Sequence, residues 1–173
     1  MSLNTVFFTV ETLTQQEVGE VKQRYNDLLR RIQIALTDLD LAEDWVEHMN
    51  DLKVNEDWVV STEGRVDKTI PTSNEYQPLS KEIDVFTPVR GDVRQRRAPI
   101  TESVNGADHF VRKNRDKLSP KQRDELQKRV DGLRDRYDGL DEKSEKELQD
   151  AIERLRRLKD EENDKVRIES LCA

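Results

Sequence analysis

Two histidines, one cysteine and an abundance of carboxylates are the residues of this 173-residue sequence that could carry chemistry. His48 and His109 would act as metal ligands only beside a partner at ligand spacing, and neither has one. Asp38, Asp40 and Asp44 superficially suggest an oxygen-rich calcium loop. The glycine and closing glutamate of such a loop are missing, and Trp45 lies inside the span, so these acids read as a solvated helix face. There is no glycine-rich phosphate loop and no nucleophile elbow. With 37 aspartates and glutamates in the chain, paired carboxylates carry almost no information about acid–base catalysis. The expectation is a protein that is not an enzyme and holds no catalytic residue, no metal and no cofactor.

Binding chemistry has more to work with. Arg90, Arg94, Arg96 and Arg97 form a basic cluster that could contact an acidic partner, anionic lipid or nucleic acid. Acidic neighbours make a solvated helix face the plainer reading. Arg90-Gly91-Asp92 spells an adhesion tripeptide, but inside a helical pattern rather than on an exposed loop. Ser119-Pro120 fits a proline-directed phosphorylation site, although helix capping alone explains it. Tyr25, Trp45 and Tyr137 could be imagined as an aromatic ligand box; with Phe86, their places in or beside apolar seams make them structural core.

Long helices are the elements that must position these residues. Only 34% of the chain is hydrophobic and 5% aromatic, while 39% is charged with both signs interspersed, a composition suited to helices packed along narrow seams. A net charge of −7 argues against a general nucleic-acid binder. The single cysteine, Cys172, excludes an internal disulfide, and no apolar run is long enough to insert in a bilayer. A cytoplasmic setting with protein partners is expected.

Periodicity predicts three segments. Thr14 with Glu17 reads as the first helix start. Val18, Tyr25, Ile32, Leu39 and Val46 then recur every seven residues, interleaved with Val21, Leu28, Ala35, Ala42 and Met49. Leu29, Leu36, Trp45 and Leu52 widen the stripe, which implies two neighbouring helices. The pattern lapses between Lys53 and Pro71, which reads as a loop whose apolar members, Trp58, Val59, Val60 and Val66, could continue the first helix or fold back as a cap over the bundle end. Thr72 with Glu75 starts the second helix, whose seam runs through Leu79, Ile83, Phe86, Arg90, Val93, Arg97, Ile100, Val104, Ala107 and Val111. Arg90 and Arg97 are expected to lay their stems along the core with their heads in water. Pro88 and Pro99 are expected to kink or divide this helix. Ser119, Pro120 and Gln122 open the third, where Leu126, Val130, Leu133, Tyr137 and Leu140 precede a stutter at Ser144 and resumption at Leu148, Ala151, Leu155 and Leu158.

The domain reading is therefore an N-terminal extension (1–13), one all-α, elongated antiparallel three-helix bundle (14–158, helices at about 14–52, 72–115 and 119–158), and a charged extension (159–173). In order, Trp45-Val46-Glu47-His48-Met49-Asn50-Asp51-Leu52, Leu79-Ser80-Lys81-Glu82-Ile83 with Val89 and Val93, and Leu133-Arg134-Asp135-Arg136-Tyr137-Asp138-Gly139-Leu140 resemble the three helix motifs of the spectrin-repeat family. The long span from Trp45 to Tyr137 and the prolines depart from that pattern, more in the manner of plakin, spectraplakin or nesprin-like linkers. The resemblance implies a structural spacer in a cytoskeletal cross-linking protein, transmitting load and holding binding domains apart, cytoplasmic and cytoskeleton-associated. Its partners would be neighbouring repeats of a parent chain and cytoskeletal or junctional proteins, with no nucleic acid, no membrane insertion and a monomeric module; actin or other filament contacts would come from the parent protein. The alternative is a helical adaptor that recruits a signalling or junctional protein.

Overall fold

The computed structural model describes the backbone of residues 3–172 and the side chains of residues 15–168. Three helices make up the fold: α1 (Leu3–Thr69), α2 (Tyr76–Lys113) and α3 (Pro120–Cys172). The architecture is an all-α three-helix bundle. Two compact units divide the chain, Met1–Val46 and Glu47–Ala173.

The second unit holds the bundle. His48 stacks obliquely on Phe110 at 4.9 Å between ring centroids and Arg65 pairs with Asp92, so α2 runs antiparallel to α1. Arg129 pairs with Glu56, Arg136 with Glu63 and Lys143 with Asp67, so α3 runs parallel to α1. Pairs this exposed add little stability, but they report the up-down-up order. The core is built from Leu52, Val59 and Val66 of α1, Leu79, Phe86, Val93 and Ile100 of α2, and Leu126, Val130, Leu133, Tyr137 and Leu140 of α3.

The span from Lys53 to Pro71 is therefore not a loop. It is helical to Thr69 and supplies most of the buried face of α1. Leu52, Val59 and Val66 keep the seven-residue spacing, while the interleaved series is Asn55, Thr62 and Thr69, of which the first two are buried. A 3–4 alternation whose second member is polar loses its hydrophobic signature but not its geometry. Ile70 donates its N–H to the Val66 carbonyl, and Pro71, which disfavours helical geometry at the residue before it, ends the run.

Continuity through residues 53–69 shifts everything paired with α1. The helix α2 turns back at residues 70–75 and ends three residues beyond Phe110, which lies against His48. The compact bundle thus begins at Glu47, not at residue 14. Within the first unit, described side chains from Gln15 to Leu36 are all exposed, and only Thr37, Leu41 and Trp45 are half-buried. Tyr25, expected in the core, is 60% exposed.

Helix starts also differ from expectation at two of three places. Helix α1 runs unbroken through Thr14 and Glu17. At α2, Glu75 occupies the N-cap without a side-chain bond. The Glu82 carboxylate instead ties down the turn that precedes α2, accepting the backbone N–H of Thr72 (2.7 Å), the N–H of Ser73 (3.0 Å) and the Ser73 hydroxyl. At α3 the capping box forms: Ser119 N–H donates to Gln122 Oε1 at 3.0 Å, and Gln122 N–H donates to Ser119 Oγ at 3.3 Å.

Pro88 and Pro99 do not divide α2. Both rings are exposed, as are Asp84 and Gln95 four residues earlier, so the carbonyls deprived of an N–H partner lie on the solvent side. The residues from Lys159 to Ile168 continue α3 with every side chain exposed.

Candidate interaction surfaces

The arginine cluster is largely consumed within the bundle. Arg90 is only 12% exposed, and its head is held by two carboxylates of α3: Nη1 donates to Asp141 Oδ1 at 2.8 Å, while Nε (2.8 Å) and Nη2 (2.6 Å) meet Glu145 Oε2. Arg97, 60% exposed, donates to the other Asp141 oxygen and lies 5.9 Å from the centroid of the Tyr137 ring. That hydrogen bond to Asp141 raises the Arg97 pKa. Hydrogen bonds from Gln149 and then Arg90 lower that of Glu145. Arg96 stacks its guanidinium over Trp58 at 5.4 Å. Arg94 is exposed. Three of the four arginines are thus engaged within the bundle, Arg90 and Arg97 sharing Asp141 and Arg96 lying over Trp58, and Arg90-Gly91-Asp92 is a helical stretch whose aspartate pairs with Arg65 at 2.8 Å.

Tyr137 completes this polar layer. Its ring is buried and its hydroxyl donates to the Val93 carbonyl at 2.9 Å, with burial the main cause of a raised phenol pKa. Asp141 is buried because the extra four-residue step at Ser144 rotates the α3 seam; Leu140, Asp141 and Ser144 are all buried where the step occurs. Sequence reasoning missed Asp141. The available signal was the coincidence of a seam stutter in α3 with two arginines at seam positions of α2.

A second feature is a groove of about 420 Å³ between α1 and α2, bordered by His48, Asp51, Asn55, Arg96, Ser103 and Gly106. Three buried polar atoms on its walls, Asn55 Oδ1, Arg96 Nε and Ser103 Oγ, have no protein partner. Gly106 allows the close approach: a β-carbon there would lie 3.4 Å from His48 Cε1. An acceptor, a donor and a hydroxyl beside the Asp51 carboxylate make a mixed, open site suited to bound water. Among the described residues no group of histidine, cysteine or carboxylate side chains could hold a metal ion, and no helix is long and apolar enough to cross a membrane.

The third feature is the largest. Along α1, Val18 (67%), Val21, Tyr25, Leu28, Ile32 (47%), Leu39 and Val46 stand exposed at alternating three- and four-residue steps with Ala35 and Ala42, and Leu29 and Leu36 add to one edge. These residues share one face of one helix. The surface has no polar interruption over nearly four heptads, the length at which a coiled-coil pattern becomes persuasive. An apolar strip of this extent exceeds the scattered exposure normal for soluble proteins.

No protein-family model, no curated protein and no solved structure matches this chain.

Proposed function

We propose that the chain is a non-catalytic structural module in which a three-helix bundle acts as a spacer and α1 offers a docking strip to another helix. The observation that carries this reading is the open heptad strip of residues 18–46, on a helix whose later and less regular apolar face, Leu52, Val59 and Val66, is buried in the bundle. Apolar area left in water along one helix face is recovered by packing against a second helix. The spacer half is supported by the bundle itself and by the order of the motifs around Trp45, Leu79 and Tyr137, which resembles spectrin repeats. A place in a cytoplasmic, cytoskeleton-associated linker follows from that resemblance. The adaptor role merges with this reading, since the strip supplies the recruiting surface.

A photoreactive residue at Ala35, on the strip, and one at the exposed Lys146 of α3 test the docking role. In cells producing the protein, discrete polypeptide adducts are expected at position 35 and not at 146. No adduct at 35 overturns the docking role.

A further inference from the structure

We infer that the occupant of the α1 strip is a second copy of the same helix, lying antiparallel over residues 21–46; this rests on the docking reading above. The alignment follows from sizes and charges. When two copies are set head to tail, one register brings Tyr25 against the second copy's Ala42, Ile32 against its Ala35, Leu28 against its Leu39 and Val21 against its Val46. Every large residue then meets a smaller or complementary one, and the two-fold axis repeats each layer.

The flanking positions agree independently. In an antiparallel pair the residues on each edge of the seam meet their own kind. Here Lys22 lies against the second copy's Glu43 and Arg31 against its Asp38, each occurring twice by symmetry. All four side chains are exposed, so they are available for this pairing. Leu29 lies against the second copy's Leu36, which accounts for the apolar widening with one partner helix instead of two. A parallel pair in register fares worse: Asp38 would lie beside Glu43, Arg31 beside Leu36, Tyr25 against Tyr25, and Ala35 and Ala42 would face themselves across a gap. Edge charges of this kind select orientation and partner in coiled coils.

Light scattering and sedimentation of the full chain, from micromolar to submillimolar concentration, test the inference, together with spin labels on Gln23→Cys in a Cys172→Ser background. A dimer is expected, with labels more than ~32 Å apart, because the antiparallel register offsets the two sites along the axis by that much at 1.5 Å per residue. Ile32→Asp is expected to yield monomers. Arg31→Asp should weaken association roughly tenfold as two symmetric attractions become repulsions, and adding Asp38→Arg should restore it. A monomer throughout the range overturns self-pairing, as does a shorter label separation, or a dimer indifferent to Ile32→Asp. A monomer whose Ala35 probe still captures a different polypeptide defeats self-pairing alone; a monomer with no adduct defeats the docking reading as well.

Discussion

At the level of single residues, Asp141 ties α2 to α3 through two arginines. It is buried and receives both Arg90 and Arg97, and of these only Arg97 retains substantial solvent contact. Asp141→Ala should cost about 2–3 kcal/mol in urea unfolding, because Arg90 keeps its burial but loses a partner, whereas Arg90→Met with Asp141→Leu should fall within about 1 kcal/mol of the parent. A large loss in the double variant would show that the pair contributes net stability. Glu82 carries the pH dependence of the turn between α1 and α2. Its pKa lies below the ordinary value, first because of the Ser73 hydroxyl and then the two backbone N–H groups. A carboxyl lowered on folding stabilises above its unfolded pKa, and that contribution disappears as pH falls through the folded value. Glu82→Gln should therefore lower the urea midpoint at neutral pH, with the difference closing on acidification through the carboxylate range. The arginines at seam positions were visible in the sequence. Their anchor was not, because Asp141 sits among Asp138, Glu142 and Glu145 and only the three-dimensional register distinguishes it.

Among the elements, α1 separates legible periodicity from packing. The heptad of residues 18–49 is the most regular in the chain, yet the bundle uses the weaker one that follows, because chain connectivity folds α2 back from residues 70–75 onto the nearest stretch of helix. Apolar spacing reports a face that can be buried; it does not say by what. Leu52→Ala, at a fully buried site, should destabilise the bundle by about 2–5 kcal/mol, while Tyr25→Ala and Leu39→Ala in dilute solution should stay within about 0.5 kcal/mol. Chemical denaturation followed by Trp58 fluorescence in a Trp45→Phe background distinguishes these outcomes, and equal losses at Leu52 and Leu39 would contradict the division at Glu47. In α2 the prolines were recognised as helix-breaking residues, but their solvent-side placement was not deducible without knowing which face packs. Pro88→Ala and Pro99→Ala should each stabilise by about 1–2 kcal/mol, a regained hydrogen bond partly offset by the freer unfolded chain. Unchanged melting temperatures in both would mean that the helix has already relaxed around the rings.

For the whole molecule, the fold class was legible because three amphipathic segments with short links have few ways to bury their seams. The partner of the first segment was not legible, since burial of a seam by another chain leaves the same imprint on sequence as burial within its own. Amide hydrogen exchange separates the two directly. Amides of α1 between Leu52 and Val66 close only with the bundle and should exchange slowly at any concentration. Those between Val21 and Val46 belong to a helix with an exposed apolar face, without the tertiary packing from which most helical stability in proteins comes. Mass action then dictates the result: if two copies pair, protection of residues 21–46 grows with protein concentration while that of residues 52–66 stays constant. Protection that is high and independent of concentration in both segments would place the stability of the strip within a single chain and remove the reason for a partner. Concentration dependence confined to the strip, lost in Ile32→Asp and recovered when Arg31→Asp is combined with Asp38→Arg, would locate assembly on α1 and leave the bundle as the rigid body that presents it.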